Sequence, residues 1–497
     1  MSEVIRLVQT AKNGFKPINR IPPEIFALIP QYYDKQDLNE KLILLTHVCQ
    51  RWREILIAYS PLWTLLDCTN TEKTRAFIER SRSSHLHISL TEYGRPYYLR
   101  DAFHLVAPHI GRVASLQING GGGVFQTFTE YFSRSVPVLK NLDIDFVTDT
   151  PLNLNGTLFD GDLSSLRTLR LSGVIPDLPK GNLSKLNTFT LRRVTGDEIS
   201  FSQLLDFFAS APLLSKIDLG AIPYPPDAPP GRVVPLPYLK SLVVLAGATP
   251  SSTLLNHLSI PTGALLHLHC YFGADMPTLQ KCLPETPKYL QNVSFITSIN
   301  LDFSQTEFFI QLDGPSGALR IYCSWDTLSL TGIGSADRRI LRSLDYFTLS
   351  KIRKLAVTDY ESSPLSRINW TSTRNRARGQ LLSSEEAEVS SPHYILRAMN
   401  NLRELSLTRC NDLPFIRALN PGSTLGPALC PKLEKLILHA EQETLNIRWL
   451  EDMARVRASK GVRLRSITVA TEDELVPEEE VSKLREYVAS VELELDP

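Results

Sequence analysis

The sequence predicts an α/β chain, in which a small helical unit at the N-terminus is followed by a long solenoid of strand–loop–helix repeats. Three observations predict it. A six-residue pattern, apolar-x-x-apolar-x-apolar, recurs from residue 113 to residue 469. Residues 18–66 instead space their apolar side chains at helical intervals. The 497 residues hold 43% hydrophobic and 21% charged side chains, the values of an ordinary globular chain rather than a disordered one. Length alone would suggest roughly three domains, but a solenoid lengthens by adding repeats to one array.

In the helical unit, Pro22 and Pro23 suit a first helical turn, where a missing N–H costs nothing. Glu24 complements the dipole of that turn. Ile25, Leu28 and Ile29 then share one face, and Pro30 ends the run. Asp37 can cap the next helical segment, along which Leu42, Leu45, Cys49, Trp52 and Leu56 form a stripe. Ser60-Pro61 stops it, and Leu62-Trp63 forms a short apolar clasp. So small a unit buries too little surface to stand alone, so it should dock on something.

These blocks in this order resemble the F-box: Ile21-Pro22-Pro23-Glu24-Ile25, Asp37-Leu38, Leu44, Val48-Cys49-Gln50-Arg51-Trp52-Arg53 and Leu62-Trp63. Ile21 stands where that family usually has Leu. The resemblance implies docking onto a Skp-type adaptor and, through it, onto a cullin ubiquitin ligase. It implies adaptor contacts from Ile21, Pro22, Pro23, Ile25, Leu28, Leu44, Val48, Cys49, Trp52, Leu62 and Trp63.

The repeats occur at Val113/Leu116/Ile118, Leu139/Leu142/Ile144, Leu166/Leu169/Leu171, Leu186/Phe189/Leu191, Leu214/Ile217/Leu219 and Leu239/Leu242/Val244. They return at Ile352/Leu355/Val357, Leu402/Leu405/Leu407, Leu433/Leu436/Leu438 and Leu464/Ile467/Val469. Weaker matches fill the gap at Leu265/Leu268/Cys270, Ile296/Ile299/Leu301 and Ala318/Ile321/Cys323. The final apolar-polar-apolar triplet of each reads as a short strand with one buried face. With this spacing the region resembles an irregular leucine-rich-repeat solenoid. The usual Asn after the strand is missing, since Val174 and Val194 stand there in two units. The expected order is a flexible N-terminus (1–17), F-box (18–66), linker helix (67–85), solenoid (86–470) and C-terminal cap (471–497). Two segments break the array: a Pro-rich exposed loop at 221–237 and a polar insertion at 371–392, expected to be disordered. Arg374 to Arg378 is too short a basic cluster to read as nuclear targeting.

Charge excludes one class of partner. The 53 Lys+Arg balance 53 Asp+Glu, which argues against a general nucleic-acid binder or a polybasic membrane-surface protein. No stretch approaches about 18 apolar residues, and the N-terminus lacks a secretory pattern. The seven cysteines are widely spaced with no C-x-x-C, so they read as reduced, mostly buried thiols of a cytoplasmic or nuclear protein. Asn119 to Gly123 sits between a strand and a helix-like run, yet fits neither phosphate-loop pattern, and reads as a repeat connection. His267 and His269 share a strand face but lack further ligands for zinc. No cofactor, metal or catalytic motif is expected.

The polar positions between the apolar ones are expected to face the concave side of the solenoid, the default binding surface of repeat proteins. They include Lys140, Asp143, Arg167, Arg170, Lys216, Asp218, Arg403, Glu404, Glu434, Lys435 and Arg465, with both signs interleaved. Together with the F-box resemblance, this implies a non-enzymatic substrate receptor of an SCF-type ligase, holding an unidentified target protein. The alternative is a repeat scaffold outside any ligase, with residues 18–66 as its helical cap.

Overall fold

In the computed structural model the chain is mixed α/β, its sheets mostly parallel. It describes residues 2–34, 37–92, 96–122, 125, 134–161, 163–178, 183–194, 199–220, 231–272, 279–285, 287–303, 307–324, 344–359, 392–408, 413–420, 428–439, 447–471 and 478–495. Most of the Pro-rich loop, nearly all of the polar insertion with Arg374 to Arg378, and the run after the glycines lie outside the described residues. Two compact units divide at Leu214/Ser215.

The first unit opens with α1 (Ser2–Gly14), α2 (Pro23–Leu28), α3 (Leu38–Thr46) and α4 (Gln50–Ala58). The expected flexible N-terminus is therefore mostly a helix. Residues 2 to 13 contain neither Gly nor Pro, so nothing in them breaks a helical backbone. The single stripe expected from Leu42 to Leu56 is split, because the chain leaves helix at His47–Cys49 and restarts. Asp37 stands at the start of α3 without capping it, and instead pairs with Lys41 at 3.1 Å.

A parallel sheet follows: β1 (Leu65–Leu66), β2 (Leu86–Thr91), β3 (Val113–Gly120) and β4 (Asn141–Phe146). β5 (Leu152–Thr157) and β7 (Val174–Asp177) form a two-stranded side ladder, while β6 (Thr168–Ser172) and β8 (Thr188–Arg192) continue the main sheet. The main order is β1-β2-β3-β4-β6-β8, each strand parallel to the one before it. Leu142, Leu169 and Phe189 stack in register and are fully buried, as period-2 alternation requires of a one-sided strand. Between strands lie α5 (Thr71–Ser81), α6 (Pro96–Val106) and, after β8, α7 (Phe201–Ser210). Phe189 meets Phe207 at 4.5 Å between ring centroids, packing α7 under the sheet.

The segment expected as a linker helix contains α5, and it is packed. Asn70 caps it by accepting from the Lys73 N–H. Asp67 just before it is held by Lys73 at 2.5 Å and by the Asn39 amide at 3.2 Å. Burial pushes the Asp67 carboxyl up, but these hydrogen bonds outweigh burial and hold it below the ordinary value. A depressed carboxylate contributes stability above its unfolded pKa of about 4, and that contribution is lost as pH falls through the folded value. Asp67→Asn should therefore lower the urea midpoint at pH 7, and the gap from wild type should narrow as pH falls below about 4. A gap that does not change with pH in that range would mean that the charge of Asp67 is not what stabilises this junction.

The second unit contains β9 (Lys216–Leu219), β10 (Val234–Pro235), β11 (Ser241–Gly247), β12 (Leu258–Ser259), β13 (Leu265–Tyr271), β14 (Ser298–Phe303), β15 (Glu307–Gly314) and β16 (Gly317–Ser324). It continues with β17 (Lys354–Asp359), β18 (Glu404–Thr408), β19 (Lys435–His439), β20 (Ser466–Thr471) and β21 (Ser490–Leu495). Its helices are α8 (Ala248–Asn256), α9 (Leu279–Cys282), α10 (His393–Ala398), α11 (Leu413–Leu419), α12 (Ile447–Ser459) and α13 (Glu478–Tyr487). β10 and β12 pair apart from the main sheet.

The main sheet of this unit does not follow chain order. Its spatial order is β9-β11-β13-β16-β15-β14-β17-β18-β19-β20-β21. β14, β15 and β16 form an antiparallel meander whose last strand pairs with β13 and whose first pairs with β17. Gly317 closes its second turn at φ 131°, and a Cβ there would lie 2.6 Å from the Ala264 carbonyl oxygen. Two weak repeat matches also shift. Leu266, Leu268 and Cys270 are the buried triplet of β13, not Leu265, Leu268 and Cys270. In β16 the buried residues are Leu319, Ile321 and Cys323. Beyond the expected last repeat, Val488, Val491 and Leu493 repeat the pattern through β21.

Candidate interaction surfaces

In the first unit, α2 and α3 both pack on α4. Phe26, Ala27, Leu42 and Leu56 are buried between them. The Trp52 ring lies 4.7 Å from Phe26, and its indole N–H donates to Asn19 Oδ1 at 2.6 Å. Arg53 Nε donates to the Thr46 carbonyl at 2.9 Å, tying α4 to the end of α3. Above this small core the outer apolar residues are open: Ile25 is 55% exposed, Leu44 67% and Val48 58%, with Leu28 less so. Pro22 and Pro23 are exposed beside them, while Ile21 and Cys49 are half-buried. Exposed apolar side chains on neighbouring elements mark an interaction site more often than scattered ones do.

Leu62 and Trp63 are a correction to the expected adaptor face. Both are buried, and Trp63 is fully so. Its ring sits edge-on to Phe77 of α5 at 4.9 Å, beneath the Arg80 guanidinium at 4.3 Å. Its indole N–H donates to the Leu56 carbonyl at 2.8 Å. The clasp joins the helices to the sheet and has no surface left for a partner. Trp52 is half-buried, and its one donor is already used.

The expected target-reading residues fall into two positions. Asp143, Arg170, Lys216, Asp218, Glu404 and Lys435 lie on strands, directed away from the buried side chains. Lys140, Arg167, Arg403, Glu434 and Arg465 lie one residue before their strands, on a rim rather than on the strand face. A repeated backbone device puts them there: the Lys140 carbonyl accepts from both Arg167 and Thr168 N–H, and the Arg353, Arg403 and Glu434 carbonyls each accept two in the same way. All five rim side chains are exposed.

Some of the charges on and beside the strands are paired with one another. Arg170 meets Asp143 at 3.7 Å, Arg193 pairs with Asp145, and Lys354 reaches Glu404 at 3.1 Å. Exposed pairs of this kind stabilise by at most about 1 kcal/mol. Burial raises the Asp143 carboxyl and Asp145 adds to the shift, while Arg170 opposes it.

Of two further features of the second unit, sequence reasoning placed His267 and His269 on one strand face and missed the other. On its outward face His267 and His269 stack at 4.5 Å, and His269 meets Tyr322 at 5.4 Å. Burial lowers both imidazoles, and for His267 the neighbouring His269 and Arg320 add to it. Among the described residues no group of three metal-ligating side chains is assembled. The other feature is a basic hollow lined by Phe295, Lys351, Arg353, Asn401, Arg403 and Lys432. No helix of the described residues is long and apolar enough to cross a membrane. The chain matches no protein-family model and no curated protein.

Proposed function

We propose that this chain is the substrate receptor of an SCF-type ubiquitin ligase. Residues 18–66 dock a Skp-type adaptor, and the repeated strands with their rim hold a target protein. The observation that carries the reading is the exposure of four apolar side chains, Ile25, Leu28, Leu44 and Val48, on or beside helices whose own core is already filled by Phe26, Leu42 and Leu56. It supplements the ordered sequence blocks that resemble the F-box, and the repeats that resemble an irregular leucine-rich-repeat solenoid. A receptor of this kind does no chemistry. It raises the local concentration of a target beside a recruited conjugating enzyme. The scaffold alternative keeps the same helices as a cap and predicts no adaptor affinity.

The two readings separate in one binding experiment with the full chain and a purified Skp-type adaptor. Wild type should bind at micromolar or tighter concentration. Ile25→Asp with Leu44→Asp should weaken binding by ~100-fold or more, since two apolar anchors become charges that association would desolvate. The melting temperature should stay within a degree or two, because both side chains face water. Absence of binding by the folded wild type would leave the scaffold reading standing.

A further inference from the structure

We infer that the basic hollow at the starts of β17, β18 and β19 is a binding site for a phosphomonoester dianion. Lys351 and Arg353 come from the approach to β17, Asn401 and Arg403 from the approach to β18, and Lys432 from the approach to β19. Four cations thus line one hollow of about 270 Å³ in a chain of zero net charge.

Their arrangement is costly unless something occupies it. Arg403 N–H donates to the Arg353 carbonyl at 2.8 Å, so the two guanidinium-bearing residues start adjacent paired strands. Like charges on neighbouring strands repel. Among the described residues Arg353 has no carboxylate partner, and Arg403 has only Glu434 at 3.8 Å.

The two lysines are positioned but not neutralised. Lys432 Nζ donates to Asn401 Oδ1 at 2.7 Å, and Asn401 in turn donates to the Ser350 carbonyl at 2.7 Å. Lys351 Nζ sits 4.6 Å over the Phe295 ring, close to the Ser294 carbonyl at 3.4 Å. An amide, a carbonyl and an aromatic face hold the ammonium groups in place while leaving their charge available. Two forked guanidiniums flanked by two fixed ammoniums suit a compact anion with two charges and three acceptor oxygens. A phosphodiester, with one charge, would leave most of the field unbalanced.

The inference does not depend on adaptor docking, and its test needs no adaptor. The full chain is titrated in about 150 mM salt, where long-range attraction is screened. The probes are a fluorescent peptide pool with a central phosphoserine, its unphosphorylated counterpart, inositol hexakisphosphate and a single-stranded oligonucleotide. Saturable binding of the phosphoserine pool over the unphosphorylated one supports the site with a modified protein as the source. Binding of inositol hexakisphosphate alone supports it with a free small molecule as the source. In either case Arg353→Ala with Arg403→Ala should weaken binding at least tenfold, and Lys432→Ala by a smaller factor. The melting temperature of the unliganded double variant should match wild type or exceed it, since a repulsion is removed. Undiminished binding by the double variant, equal binding of the oligonucleotide, or no binding of any phosphate probe overturns the inference.

Discussion

Trp63→Ala should destabilise the first unit by about 3–5 kcal/mol, the range for emptying a fully buried aromatic site. The ring is completely enclosed, and three separate interactions end on it: the edge of Phe77, the guanidinium of Arg80 and the Leu56 carbonyl. Alanine leaves a cavity and removes the shorter of that carbonyl's two hydrogen bonds, the other coming from the Tyr59 N–H at 3.3 Å. Trp63→Phe keeps much of the volume and loses the N–H, so about 1–2 kcal/mol should suffice for it. Trp52→Ala should cost less than Trp63→Ala, because Trp52 is only half-buried. Urea unfolding of the full chain, followed by circular dichroism, reads all three. If Trp63→Ala and Trp52→Ala shift the midpoint equally, the clasp is not the anchor between helices and sheet. The prediction also bears on the proposed adaptor binding. Loss of binding in Trp63→Ala would report unfolding, whereas loss in Ile25→Asp with Leu44→Asp would report a missing contact.

How far the sequence reaches is plain from particular residues. Leu142/Ile144, Leu169/Leu171 and Leu405/Leu407 were readable as strands because a strand buried on one face must alternate, and here it does. At Leu265 to Cys270 the run is Leu-Leu-His-Leu-His-Cys, with apolar side chains in both parities at its start. The phase was therefore ambiguous, and only pairing with Leu242 and Val244 selects Leu266 and Leu268 as the inward pair. The meander of β14 to β16 was not legible as such. Its alternation matches that of a repeat strand, and local sequence does not encode which neighbour a strand pairs with. Leu62-Trp63 could be recognised as an apolar clasp, but an apolar residue suits a core and an interface equally. Its direction was set by Phe77 and Leu56, the first of them in the expected linker helix. The basic hollow was hidden for a related reason. Lys351, Arg353, Arg403 and Lys432 belong to three successive repeats, and interleaved acids such as Glu404 made the sequence look evenly mixed. Pairing of Glu404 with Lys354, one row further along the strands, removes that acid from the hollow.

Arg457→Ala is expected to destabilise the second unit by about 3–5 kcal/mol, from the cavity and the lost hydrogen bonds together. Arg457 lies on α12 and is fully buried. Burial lowers its pKa from the ordinary arginine value, but that value starts so high that the group stays charged. No carboxylate meets it among the described residues. Its guanidinium instead donates to three backbone carbonyls, those of Leu419 at 3.4 Å, Leu429 at 2.9 Å and Cys430 at 2.9 Å. Cys430 has a positive φ of 47°, a conformation that a non-glycine residue holds only when its surroundings enforce it. The side chain thus ties the end of α11 to the backbone just before β19 and holds that backbone in its strained form. Alanine would leave the Leu419 and Leu429 carbonyls without this donor as well as a cavity, while the Cys430 carbonyl keeps the Leu433 N–H at 3.0 Å. Arg457→Lys keeps a charge but has no planar fork, so it should recover only part of the loss. Arg457→Met fills the volume with no donor, so comparing it with alanine separates packing from hydrogen bonding. If methionine is as stable as wild type in urea, the carbonyls are satisfied by other means and the arginine contributes little beyond bulk. If methionine falls close to alanine, the three hydrogen bonds hold this turn.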